Sequence, residues 1–343
     1  MSTAVDRIAK ALLYEGYMLY PYRPSAIKNQ QRFNFGVLYP RSYSQAQDEL
    51  EPWFTRTECL VTGSVLTSLE VRVRFLHLCD RTIQRLTEDG LFQPVDRLEV
   101  AGQVFQSWQE AVEEEIILPV ANLQSLAQIP LEWPCLIAGK ITEEPIVDEA
   151  SGTVGKILRT RRELRLSLRV TAKLLSDSVS KVSARVENLT DLAASLSTRE
   201  AALLHSPVST HTLLGVQGGE FVSLLETPEE LVPFARDCIS VGCYPVLAGD
   251  RDTHDTVLSS PIILYDYPEV ASESDGDLFD STEIDEILSL RIMTLTDEEK
   301  REVRNADDRT RRILERTENL PQEQLLKLHG VLRGLRPSES DLR

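Results

Sequence analysis

No run of about 18 uncharged apolar residues, the least that carries a helix across a bilayer, occurs in these 343 residues. A helical membrane span is therefore excluded. Asp6, Arg7, Lys10 and Glu15 break up the apolar run that a secretory signal at the N-terminus would need. Positive charge is scarce: 37 Lys and Arg stand against 54 Asp and Glu, a net charge of −17. Such an excess repels a phosphate backbone and argues against nucleic-acid binding. It suits a basic protein partner. Cysteine is sparse and odd in number, with five residues at positions 59, 79, 135, 238 and 243. An odd count without a secretion signal points to reduced thiols and a cytoplasmic location. The G-x-S-x-G elbow, the P-loop and the G-x-G-x-x-G turn are all missing. Ser206 lies close to His205 and His211 in sequence, but that juxtaposition is too common to mark a nucleophile. No catalytic residue is assigned, and the chain reads as a non-catalytic protein.

What is present is an ordinary globular composition, 42% apolar, long enough for two or three domains. The segment VDRIAKALLYEGY starts as a helix, with Val5, Ile8, Leu12 and Leu13 at three- and four-residue spacing. It ends near Gly16, and Pro21 and Pro24 forbid a regular continuation, so an extended arm follows. In GSVLTSLEVRVRFLHLCD, Val65, Thr67, Leu69, Val71, Val73, Phe75 and His77 share one parity, the period of a half-buried strand. RTRRELRLSLRVTAKLL and KVSARVENLT continue the same alternation, while QSWQEAVEEEI reads as a short helix. The fold class expected is α+β: an antiparallel sandwich or open-barrel-like core, a mixed α/β segment, then C-terminal helices. The boundaries expected are an N-terminal helix and Tyr-rich arm (1–54), a β domain (55–195), a mixed segment (196–270), and an acidic loop with helices (271–343).

Within the mixed segment, LLHSPVSTHTLLGVQGGEFVSLLE predicts short strands joined at Gly218-Gly219. TPEELVPFARDC predicts a helix with Thr227 as N-cap, Pro228 first and Glu230 closing a capping box. PIILY predicts a strand. In the last part, Asp280 or Thr282 can cap one helix. A second starts at Thr296 with Glu299 at its third position, and a third starts at Pro321.

Four groups of residues bear on chemistry. Cys238 and Cys243, with His254 ten positions on, have sulfur and imidazole at a spacing that zinc tolerates, although Cys238 also falls on an apolar face, where a thiol acts as a small hydrophobe. Between Asp266 and Glu286 lie nine acidic residues and no basic one. Of these, Asp275, Asp277, Asp280, Glu283, Asp285 and Glu286 are candidates for calcium or magnesium; Glu283, Asp285 and Glu286 also suit helix-capping charge, and the cluster suits contact with a basic partner. Arg161, Arg165 and Arg169 line one strand face, fit either for carboxylates or for pairing with the chain's own acids. Six of the nine tyrosines precede residue 44. They suit packing against a domain or an aromatic binding surface.

Three stretches carry a family resemblance: ALLYEGYMLYPYRPSAIKNQQRFNFGVLYP, SSPIILYDYPEVASESDGDLFDSTEIDEIL and LTDEEKREVRNADDRTRRILERTE. Together they resemble an uncharacterised protein family encoded beside high-affinity nickel–iron uptake hydrogenases. The resemblance spans most of the chain and implies an accessory or assembly role in hydrogenase biogenesis. It transfers no catalytic residue and no cofactor. The partner it implies is an immature hydrogenase subunit. The surface expected to meet that partner comprises Tyr14, Tyr17, Tyr20, Tyr22 and Arg23 with Tyr265, Asp266, Tyr267, Asp280, Glu283, Asp285 and Glu286. Two other readings stay open: a metal-binding enzyme acting on a small molecule or cofactor, and a structural subunit of the hydrogenase complex.

Overall fold

The computed structural model describes residues 3–15, 17–18, 22–23, 26, 29, 32–193, 198–269, 285–306 and 308–321. Strand outweighs helix, 46% to 21%, around a large antiparallel sheet that does not close into a barrel. The fold is α+β. The chain divides into two compact units, residues 1–17 with 31–270 and residues 18–30 with 271–343.

The first unit opens with helix α1 (Thr3–Leu13) and the short α2 (Arg41–Ala46). Its spine is β1 (Phe54–Leu86), 33 residues long. Then come β2 (Phe92–Val95), β3 (Arg97–Val100), β4 (Gln103–Gln106), β5 (Trp108–Ile117), β6 (Ala121–Asn122) and α3 (Leu123–Gln128). Strands β7 (Leu131–Ile137), β8 (Lys140–Asp148), β9 (Gly152–Arg161), β10 (Leu164–Leu174) and β11 (Val179–Asn188) follow. Helix α4 (Arg199–Leu203), β12 (Pro207–Val222), a 3-10 turn (Glu229–Leu231), the one-turn α5 (Val232–Ala235), β13 (Tyr244–Leu247) and β14 (Thr256–Ser260) complete the unit.

A strand this long serves different neighbours along its length. On one flank β1 pairs in turn with β11, β6, β5 and β2; on the other, with β12 and then β9. Between Gly63 and Ser68 its register against β12 slips, and the strand bends there. Glycine is required at this crossing, because a Cβ on Gly219 would lie 2.7 Å from the Thr62 carbonyl oxygen. The bend lets the sheet curl over its own core. Cys59, Val61, Val71 and Phe75 of β1 share that core with Leu166 and Leu168 of β10, with Val182, Ala184 and Val186 of β11, and with Leu123 and Leu126 of α3. On the outer side, α1 lays Val5, Ile8, Ala9 and Leu12 on Leu213 and Leu258. A smaller core gathers Ile83, Ile146 and Ile157 at the far end of β1.

Several local expectations change. QSWQEAVEEEI is strand β5, because ten consecutive residues find partners on β1 from Arg72 to Arg81; pairing overrides the local preference of a Glu-rich segment. Strands from both 55–195 and 196–270 join one twelve-stranded sheet, since β12 pairs with β1 along most of its length, while β3 and β4 form a separate two-stranded sheet. That strand also runs unbroken through Gly218-Gly219. The helix expected after Thr227 shrinks to the 3-10 turn and α5. Pro233 lacks the N–H needed to continue a helix from Glu229. Thr227 is no cap: its hydroxyl donates to the Ser223 carbonyl at 2.8 Å. The strand expected at PIILY lies just upstream, at β14.

The second unit carries α6 (Asp285–Met293), α7 (Asp297–Ala306) and α8 (Asp308–Glu318). The capping box at Thr296 forms as its spacing requires: the Thr296 N–H donates to the Glu299 carboxylate at 2.8 Å, and the Glu299 N–H to the Thr296 hydroxyl at 3.3 Å. Leu288, Ile292, Val303, Ile313 and Leu314 are buried. Lys300 and Arg304 pair with Glu318. The helix expected from Pro321 lies outside the described residues.

Candidate functional site

Strand β1 carries buried polar groups next to the core. Leu69, Val71, Val73 and Phe75 alternate inward, and the same parity then brings His77, Cys79 and Arg81 before apolar character returns at Ile83. Directly opposite lie Glu114, Val112, Glu110 and Trp108 of β5 and, on the other flank, Arg161 and Arg159 of β9. Opposed residues share a face, so a charged layer separates the two apolar cores.

Its charges are committed to one another. Glu110 accepts from Arg159 at 2.9 Å and lies 3.5 Å from the Arg81 guanidinium. Arg159 reaches Glu144 at 2.7 Å, and Arg161 pairs with Glu114. Three guanidinium groups thus meet three carboxylates. Cys79 is pushed up to about 11 by burial first and by Glu110 second. His77 is fully buried, and neither ring nitrogen makes a well-formed hydrogen bond. Burial, then Arg161, drives it down to about 3, against a weaker opposing pull from the Arg162 backbone. His205 lies close enough to add to the lowering, and burial lowers its own pKa too. A neutral, weakly basic imidazole beside a protonated thiol has the wrong protonation for general acid–base or nucleophilic work.

A second buried imidazole lies under α1. His211 Nδ1 is 2.7 Å from the Ser209 carbonyl, and its Nε2 is 3.2 Å from the Ser260 hydroxyl. Burial holds it down to about 4. Both His211 and Ser260 are fully buried, so this serine–histidine contact meets no substrate.

The residues singled out from sequence scatter across the structure. Tyr14, Tyr17 and Tyr22 are buried. The Tyr14 hydroxyl donates to Glu113 at 2.8 Å, and its ring meets Tyr17 edge-on at 5.4 Å. Arg32 lies over the rings of Tyr17, Phe33 and Trp108 and donates to the Tyr17 carbonyl. The aromatic arm is therefore packed rather than presented. Arg23 pairs with Glu299 at 3.3 Å. Tyr20, Asp280 and Glu283 lie outside the described residues, as do the side chains of Asp285 and Glu286 in the first turn of α6. Asp266 is a clasp: it accepts from the Leu247 N–H at 2.7 Å and from the Ser223 hydroxyl at 2.5 Å. Tyr267 is half-buried, and its N–H donates to the Leu247 carbonyl. Tyr265, by contrast, is 87% exposed.

Cys238 and Cys243 are engaged separately. Cys238 packs beside Leu60 and Val179, and burial pushes its thiol up to about 11. Cys243 is buried and donates to the Arg56 carbonyl at 3.3 Å. The His254 ring tilts against Tyr267 at 6.2 Å. No three His, Cys, Asp or Glu side chains converge as metal ligands among the described residues. A cleft of about 150 Å³ beside the β1 bend is lined by Ser68, Glu70, Val120, Gln217, Asp255 and Thr256. That is small for a substrate site, which usually exceeds roughly 300 Å³.

No family model, curated protein or solved structure matches this chain. Nor, among the described residues, is any helix long and apolar enough to cross a membrane.

The charged layer escaped the sequence reading, which placed the Glu-rich segment of β5 on a helix. Its signal was present: glutamates at 110 and 114 and arginines at 159 and 161 recur at even spacing on strands. The arginine stripe pairs within the chain: Arg161 with Glu114 of β5, Arg165 with Glu163 two residues before it, and Arg169 with Glu132 of β7.

Proposed function

We propose that the chain is a non-catalytic accessory factor that binds a protein partner, and that the partner is an immature nickel–iron hydrogenase subunit in the cytoplasm. The observation carrying this reading is the exposed edge after β14. Ile262 and Leu264 pack toward α1, whereas Ile263 and Tyr265 alternate outward at 73% and 87% exposure. Large apolar side chains exposed next to one another give a partner apolar surface to cover. The acidic stretch follows immediately, and it suits a basic partner surface. The family resemblance supplies the identity of the partner. The internal neutralisation of the charged layer and the raised thiols support the non-catalytic half of the reading.

The test is gentle purification of the tagged protein from its native host, with mass spectrometry of what accompanies it and a metal assay. Capture of an unprocessed hydrogenase large subunit supports the reading. A stoichiometric bound metal and no hydrogenase partner replaces it with a metal-dependent enzyme. Co-migration with the mature, active enzyme makes the chain a structural subunit instead.

A further inference from the structure

The outer face of β1, β11 and β10 runs against the character of the whole chain. Along one row, Arg56 stands directly opposite Arg185, and Arg185 directly opposite Arg169. Further along the same face, Lys181 stands opposite Lys173. Like charges in direct cross-strand register destabilise a sheet. Three such pairs on one face of a chain with net charge −17 call for a reason other than stability. Thr171 and Ser183 form the row between these cations, and Ser167 lies just beyond Arg169; small hydroxyl residues leave the face flat and add donors. The neighbouring carboxylates offset only part of the charge: Glu58 serves Arg56 and Lys181, which also donate to the Ile239 and Asp237 carbonyls, Glu187 serves Arg185, and Glu132 serves Arg169. Arg169 remains 54% exposed at its side chain, and Lys173 is exposed with no ion pair among the described residues.

We propose that this face docks an acidic peptide segment of a partner protein, Asp- or Glu-rich and extended across β11 and β10. Guanidinium groups take carboxylates through paired N–H donors. Neighbouring strands lie about 4.8 Å apart, so a segment that meets Arg169 and Lys173 on β10 also lies within the field of Arg185 and Lys181 on β11, which keep their own partners. Single-stranded nucleic acid fits less well, because base stacking needs free aromatic faces. The rings at the end of the row are already taken: Arg185 lies 3.7 Å from the Phe54 centroid, and Arg41 lies 4.6 Å from that of Trp53. This face is opposite in charge to the acidic stretch, so the inference does not rest on the assembly-factor reading.

The test is fluorescence anisotropy of a labelled twelve-residue Glu- and Asp-rich peptide with the full chain, at low and physiological salt. The expected result is saturable binding that weakens at least tenfold in an Arg169→Gln, Lys173→Gln double variant. Arg251→Gln, a substitution of an exposed arginine paired with Glu269 elsewhere in the unit, should leave it unchanged. The double variant should melt no lower than the parent, since it relieves two like-charge pairs; circular dichroism checks this. Absent binding, or binding equal in the double and parent proteins, overturns the proposal. Tighter binding of a labelled oligothymidylate than of the peptide also overturns it, in favour of a nucleic-acid surface.

Discussion

Replacing His77 with leucine should stabilise the protein, and increasingly so as pH falls. The imidazole is fully buried, with no well-formed hydrogen bond to either nitrogen. An unsatisfied buried polar group costs about 1–3 kcal/mol, and an apolar group of similar shape avoids that cost. Leucine is close to histidine in volume and continues the inward alternation of Val73 and Phe75. At pH 8, His77→Leu should therefore be as stable as the parent, or up to about 2 kcal/mol more stable. Proton linkage adds a second contribution. His77 falls from 6.5 to about 3 in the folded chain. Below pH 6.5 the unfolded chain takes up a proton that the folded chain refuses, so folding stability drops with each step down until about pH 3. The full effect, at about 1.36 kcal/mol per pH unit, is on the order of 5 kcal/mol. At pH 5.5, which stays clear of the isoelectric point near 4.8, it is about 1.4 kcal/mol. Urea unfolding of both proteins at pH 8 and pH 5.5 measures the difference, and titrations common to both cancel. A variant more than about 1 kcal/mol less stable at pH 8 would show that the imidazole has a partner, the Arg162 backbone being the nearest at hand. A difference that does not grow between the two pH values would refute the linkage argument.

Other residues give sharper local tests. Glu110→Gln removes the carboxylate between Arg81 and Arg159 and should cost about 2–3 kcal/mol in urea unfolding; a loss under about 0.5 kcal/mol would mean the layer is solvated. Tyr14→Phe deletes a hydrogen bond to Glu113 and should cost about 1–2 kcal/mol; no change in unfolding midpoint would count against a packed arm. Thr296→Ala opens the capping box and should cost about 1 kcal/mol, read as faster amide exchange in Asp297–Ala306; unchanged exchange there would count against the cap. Cys79 and Cys238, both pushed up to about 11, should resist iodoacetamide in the native protein at pH 7.5. Labelling as fast as that of a free thiol, followed by mass spectrometry, would contradict the burial of Cys79 and the raised thiol of half-buried Cys238.

The strands were legible wherever alternation was long and uninterrupted. Leu164, Leu166, Leu168 and Val170 announce β10, and Val182, Ala184 and Val186 announce β11, because each buries one face only. The bend in β1 was half-visible, as a strand too long to stay flat. Strand β5 was not visible, because Glu113, Glu114 and Glu115 favour a helix until β1 supplies their partners. Helix α5 fell short for a reason that is local and was readable, namely Pro233. The site was harder. Cysteines 238 and 243 are close in sequence, yet they turn to different neighbours on either side of Gly242, whose φ of +70° marks a sharp turn. The tyrosine-rich arm advertised contact area, but its contacts are with Glu113, Phe33 and Arg32 of the same unit. Row-wise charge across strands, the basis of both the charged layer and the basic outer face, is a property of register, which no single segment displays.

The central proposal is that this chain binds an immature hydrogenase subunit through its exposed edge after β14. The most direct measurement is titration calorimetry of the purified chain against purified, unprocessed hydrogenase large subunit, repeated with an Ile263→Ser, Tyr265→Ser variant. The account predicts a saturable one-to-one complex with the parent chain and at least tenfold weaker binding with the variant, whose melting temperature stays unchanged. No heat of binding with the parent, or equal affinity for the variant, would contradict it.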